Sequence, residues 1–354
     1  MFTPSCLPIL IGSLPLTDHH QALNQVLATT PDIPLWPQLP KNPKEGMLRQ
    51  FLDGYPGLTE ESGHFWIATD RPSFAEEMTR FYEDVLQSAG DAALPEESRF
   101  SLSEQTARGF FVLRETLPHL GRLPLSVKGQ VTGPITCGIG IKDQNGMPLF
   151  HDDSLRDMLI KLLSLKARWQ VEQLRPWCRE TGPLLFIDEP GMVNYGSTAF
   201  PGISREAVCS AMAEVIAAVQ DSGGLAGIHI CANGDWAPAL QSAADIISFD
   251  AFSYFDNFIL YHEDLLAFLA RGGVLAWGIV PTGDPLAVAA ATEEDLLARW
   301  REQVRQISAL GFSADRLQAQ TLIAPACGTG SLPPQLAERV FRLTGALARR
   351  IRDE

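Results

Sequence analysis

The chain has 354 residues, 45% of them apolar and 20% charged, with a formal net charge of −14. This is ordinary globular material, long enough for two cores yet within reach of one α/β barrel. Acidic and basic residues are mixed along the chain rather than blocked, so no basic stripe is expected to meet nucleic acid or an anionic membrane.

The first twenty residues, MFTPSCLPILIGSLPLTDHH, are apolar but hold three prolines and no basic segment. They read as an internal strand, LPILIG (7–12), rather than a secretory signal. His19-His20 reads as a solvated helix start. Residues 30–70 differ from the rest: TPDIPLWPQLPKNPKEG is Pro-rich, and GHFWIATD reads as a hairpin strand. Together they form a Pro-rich N-terminal excursion that helps to cover one end of the fold.

From residue 120 onward, short apolar runs alternate with segments of helical period. The expected strands are 123–131, 183–188, 225–231, 245–250, 273–280 and 317–324. Ser204 precedes one helix, REAVCSAMAEVIAAVQ, and Thr292 with Asp295 opens another as a capping box. Within 153–180, Leu155, Leu159, Leu162, Leu165 and Trp169 form a core-facing stripe. Such alternation implies right-handed βαβ units and a parallel sheet. Seven strands are assigned and an eighth is not. The expectation is a single α/β domain over residues 1–354, a (β/α)8 TIM-type barrel, with an open doubly wound sheet as the alternative. No GxGxxG follows a strand, which weighs against dinucleotide binding. No apolar stretch reaches the ~20 residues of a membrane span. Six cysteines without a CxxC pair fit a reducing, cytoplasmic setting.

In a parallel barrel the C-terminal strand ends build the active site, and polar residues collect there. Strand 183–188 ends in Asp188-Glu189-Pro190, whose two carboxylates are the candidate catalytic pair. GIHICANGDW (227–236) carries His229 and Cys231 at i and i+2 on one strand face. Asp250 ends strand 245–250, and Cys327 lies in the turn PACGTGS. Two thiolates and an imidazole suit Zn²⁺, with Asp250 either completing the tetrahedron or capping the next helix.

GIHICANGDWAPAL followed by PACG resembles the His-x-Cys…Cys zinc motif of the cobalamin-independent methionine synthase catalytic barrel. It equally resembles the corrinoid-dependent methyltransferases related to uroporphyrinogen decarboxylase. LIGSLP, VTGPIT (131–136) and IDEP (187–190) are similar in order to the family's other strand-end motifs, so the resemblance spans residues 9–330. It implies a zinc site of His229, Cys231 and Cys327, with Asp250 near the place of a zinc-ligand glutamate. It also implies that Ser13 and Asp188 hold the substrate. Arg49, in GMLRQF, falls where the family has a glutamate for the substrate's amino group. The implied enzyme is a zinc-dependent S-methyltransferase acting on a homocysteine-like or other small thiol. The family's second, folate-linked barrel is missing, so methylcobalamin on a partner corrinoid protein is the expected donor. The alternatives are a uroporphyrinogen decarboxylase-like enzyme and a non-catalytic zinc- or corrinoid-handling barrel. Residues 1–48 contain no arginine to meet the decarboxylase's polyanionic substrate.

Overall fold

The computed structural model describes residues 2–90, 92–194 and 202–354. Among the described residues nine strands occur in chain order: β1 (Leu7–Pro8), β2 (Leu58–Glu61), β3 (His64–Ile67), β4 (Lys128–Thr132), β5 (Leu184–Asp188), β6 (Leu225–Ile230), β7 (Ile246–Phe249), β8 (Val274–Val280) and β9 (Thr321–Pro325). Seven of them form one parallel sheet in the order β1-β9-β8-β7-β6-β5-β4. The expected GHFWIATD strand is β3, which pairs antiparallel with β2. Its two-residue turn, Ser62-Gly63, has φ of 51° and 80°, the left-handed pair a tight hairpin needs.

Strands β4, β5, β7, β8 and β9 are buried along their whole length. That matches near-continuous apolar runs with helices on the outer face. The helices between them start as the sequence indicates. Ser204 Oγ accepts from Ala207 N at 3.1 Å to begin Arg205–Asp221. Thr292 and Asp295 bond reciprocally at the start of Glu293–Ala309. Three boundaries move: the expected strand 7–12 is β-paired as a strand only over Leu7–Pro8, the expected 123–131 begins at Lys128, and the start of the expected 317–324 belongs to the short helix Ala314–Ala319, so β9 begins at Thr321. LQAQ has no β-branched residue to favour an extended chain, whereas TLIA opens with one.

A cluster of Leu7, Ile9, Ile33, Phe186, Ile246 and Ala324 joins side chains from distant strands, which meet because the sheet curls. The Pro-rich stretch reaches this curl. Residues 32–38 make parallel bridges to both sides of the sheet's opening, Leu35 with Lys128 and Ser13 with Gln38. Lys128 N donates to Pro34 O (2.8 Å), Gln38 N to Gly12 O (3.0 Å) and Leu14 N to Gln38 O (2.9 Å). Pro34 and Pro37 have no N–H, so only a partial ladder can form there. Inside the curl the Lys128 ammonium is fully buried, 3.3 Å from Gln130 Oε1 and 4.6 Å above the Phe186 ring. No helix among the described residues is long and apolar enough to cross a membrane.

Candidate metal centre

Parallel register sets one row of side chains across three strands. Asp188 on β5 stands beside His229 on β6, and His229 beside Ser248 on β7. Ser248 Oγ lies 2.9 Å from His229 Nδ1. The other ring nitrogen, Nε2, is buried and has no hydrogen-bond partner, and neither has Asp188 Oδ1. Buried polar atoms without partners are rare and call for an explanation. Two residues beyond His229 comes Cys231, and Cys327 follows β9, the strand whose pairing with β8 brings it round. One ligand atom from each of His229, Cys231 and Cys327 lies within 4.8 Å of the others. Tetrahedral zinc with bonds of about 2.0–2.3 Å needs ligand atoms roughly 3.5–4 Å apart, so closing on an ion takes no more than about 1.3 Å in any separation.

The thiols are electrostatically unlike the chain's other buried cysteines. The Cys327 thiol and then the His229 ring hold Cys231 down to about 4, and the Cys327 proton is correspondingly harder to remove. At His229 burial disfavours the charged ring, but the Cys231 sulfur and Asp188 outweigh it and raise its pKa. Burial, by contrast, pushes Cys6 up to about 12 against the pull of Arg352, and burial together with the Glu189 carboxylate raises Cys137. One thiolate is therefore ready at neutral pH, the state a metal ligand requires.

These residues line a cavity of about 270 Å³ together with Ser13, Glu45 and Met47. Ser13 is fixed by its neighbours: its carbonyl accepts from Thr329 N (2.9 Å), and its Oγ accepts from Gly330 N (3.3 Å). A side chain at position 328 would place its Cβ 2.0 Å from Ser13 Oγ and displace the serine hydroxyl from this position. Burial raises the pKa of Asp188, while His229 and the Lys128 ammonium pull it back.

Three expected site residues lie elsewhere. Glu189 does not line the cavity. It is fully buried, and its two oxygens accept from Ile135 N (2.9 Å), Thr136 N (2.8 Å) and Thr136 Oγ1 (2.6 Å) at the start of the helix Pro134–Gly140. Burial raises its pKa to about 7 against those three donors. Arg49 does not line the cavity either, because its guanidinium is held by Asp53 (2.7 Å) and Glu60 (3.1 Å). Asp250 is outside the three-residue group, and its carboxylate caps Ser253 N at 2.7 Å.

The sequence reading missed Ser248, Lys128 and Glu45. The Glu45 side chain is buried in the cavity wall, accepting from Leu39 N (2.9 Å) and bonding His19 Nε2 (2.7 Å). His19 begins the helix His19–Thr29 as expected, but it turns inward to Glu45 rather than to solvent, whereas His20 is exposed. The spacing of Ser248, two before Asp250 and on the same strand face, was the available signal. Only the register with His229 gives it meaning. No protein-family model matches this sequence, and no curated protein matches it.

Proposed function

We propose that the chain is a (β/α)8 barrel with residues 32–38 as its eighth stave, and that it methylates a small thiol at a zinc held by His229, Cys231 and Cys327. The observation that carries this reading is the convergence of a buried, unpartnered imidazole nitrogen with two sulfurs, one of them a ready thiolate. Zinc bound there supplies a Lewis acid that lets a thiol substrate act as a thiolate at neutral pH. Ser248 fixes the ring by occupying Nδ1, which turns Nε2 towards the sulfurs. Asp188 offers its unpartnered Oδ1 to the polar end of the substrate, and Ser13 bounds the same cavity.

A cavity of about 270 Å³ accepts a small thiol but not a corrinoid ring. The methyl group therefore comes to the mouth on a partner corrinoid protein. In that transfer the substrate sulfur would form the S–CH3 bond, and the donor would keep the electron pair of the bond to methyl that it loses. The thiol proton leaves to water. The chain's part is to position the nucleophile for this in-line displacement.

Zinc is counted per chain in protein purified under reducing conditions, for the wild type and for Cys327→Ser. About one zinc in the wild type, lost in the variant, supports the site and opens a screen of thiols with methylcobalamin. No zinc in either folded protein removes the reading.

A further inference from the structure

A second hollow, of about 510 Å³, lies at the opposite end of the sheet, where Pro8 of β1 and Asp32 border it. Its wall is the helix Pro334–Arg352, which presents Arg342, Arg349 and Arg352 to it, with Phe341 as an apolar surface. Positions 342, 345, 346, 349 and 352 recur at helical spacing, so they share one face. Gly345 and Ala346 leave space between the arginines, and a Cβ at 345 would approach nothing closer than Thr29 at 3.8 Å.

Among the described residues these three arginines have no ion pair and no hydrogen-bond partner, unlike others on the same helix. Arg350 pairs with Glu293 (3.3 Å) and Glu294 (3.0 Å), and Arg339 donates to the carbonyls of Val288 (2.9 Å) and Ala291 (2.7 Å). Asp32 does not neutralise the hollow, because Arg122 engages it at 2.6 Å. Two helix C-termini, at Thr29 and Arg352, supply about −0.5 charge each. Against three guanidinium groups that leaves roughly two positive charges unbalanced. The chain's net negative charge does not cancel them locally, since its field is screened over about 8 Å at physiological salt.

We propose that this hollow binds a small organic polyphosphate. Guanidinium forks match phosphoryl oxygens in pairs. Arg342 and Arg352 are about 15 Å apart along the helix axis at 1.5 Å per residue, a span that favours more than one phosphoryl group. The volume is that of a small-molecule pocket, and Pro8 and Phe341 give an organic moiety an apolar surface. The ligand sits at the strand starts, away from the sulfurs. It binds without entering the thiol chemistry, and its presence stabilises the fold by mass action.

The test is calorimetric titration of the full chain with inorganic pyrophosphate, then with inorganic phosphate. The variants are Arg342→Gln/Arg349→Gln and, as a charge control, Arg350→Gln. The wild type is expected to bind pyrophosphate with Kd below about 1 mM, and phosphate about tenfold more weakly. The double variant should lose at least about tenfold in affinity, while Arg350→Gln stays within about twofold. Thermal melts and zinc content verify that all three proteins are folded. Undiminished binding in the double variant, or no pyrophosphate binding by the wild type, overturns the proposal. Sedimentation with anionic phosphatidylserine vesicles in the absence of pyrophosphate binding would assign the face to a membrane surface, and also overturns it.

Discussion

Ser248 and His229 face each other across the β6–β7 ladder, with the serine hydroxyl 2.9 Å from the imidazole Nδ1. A strand pairing thus fixes the orientation of a side chain whose opposite nitrogen has no partner of its own. Outer partners of this kind set the tautomer of a ligating histidine.

Ser248→Ala should therefore weaken zinc binding about 10- to 100-fold while leaving the fold intact. Competition against a chromophoric chelator measures the affinity. Unchanged affinity would mean that the serine packs beside the ring without orienting it.

Glu189→Gln should cost stability rather than a chemical step. The amide replaces one acceptor oxygen with a donor facing the donors of Ile135 and Thr136. Leaving such a buried donor unmatched costs about 1–3 kcal/mol. Denaturant unfolding reads the loss, and zinc stoichiometry should stay the same.

Arg49→Ala should leave the Michaelis constant for any thiol substrate unchanged, because the guanidinium serves Asp53 and Glu60 outside the cavity. Both partners are partly solvated, so the stability cost should fall below about 1 kcal/mol. A rise in the Michaelis constant of tenfold or more would return Arg49 to the substrate.

Lys128 should leave a signature in alkaline unfolding. Burial lowers its pKa from 10.5 to about 8, with Asp188 opposing the shift. Between pH 8 and 10.5 the unfolded chain therefore holds a proton that the folded chain has released. Stability consequently rises with pH across that window. The rise attributable to this group is on the order of 3 kcal/mol. Lys128→Met removes that slope, and unfolding curves taken in steps of pH compare the two proteins.

Much of the sheet and half of the site were legible because they rest on local patterns. Alternating apolar runs marked β5 to β8, and the i, i+2 spacing put His229 and Cys231 on one strand face. What escaped depends on which strands become neighbours. Residues 32–38 read only as part of a Pro-rich excursion because Pro34 and Pro37 break the donor pattern, although Ile33, Leu35 and Trp36 are fully buried. Glu189 looked catalytic beside Asp188. Adjacent strand-end residues diverge, however, and the helix start after β4 claims Glu189. Arg49 was placed by motif spacing alone, which says nothing of the carboxylates that hold it. The arginine-lined face was hidden because its charges alternate with apolar residues along the helix and gather only when it is wound.

The pairing of β1 with β9 also bears on the protein's synthesis. Leu7 stands in register with Leu322, so of the sheet's strands the earliest made finds its ladder partner only when the latest has emerged. At about 5–20 residues per second that wait lasts roughly 15 to 60 s. Through it, the apolar run from Leu7 to Ile11 stays on the growing chain without its native partner.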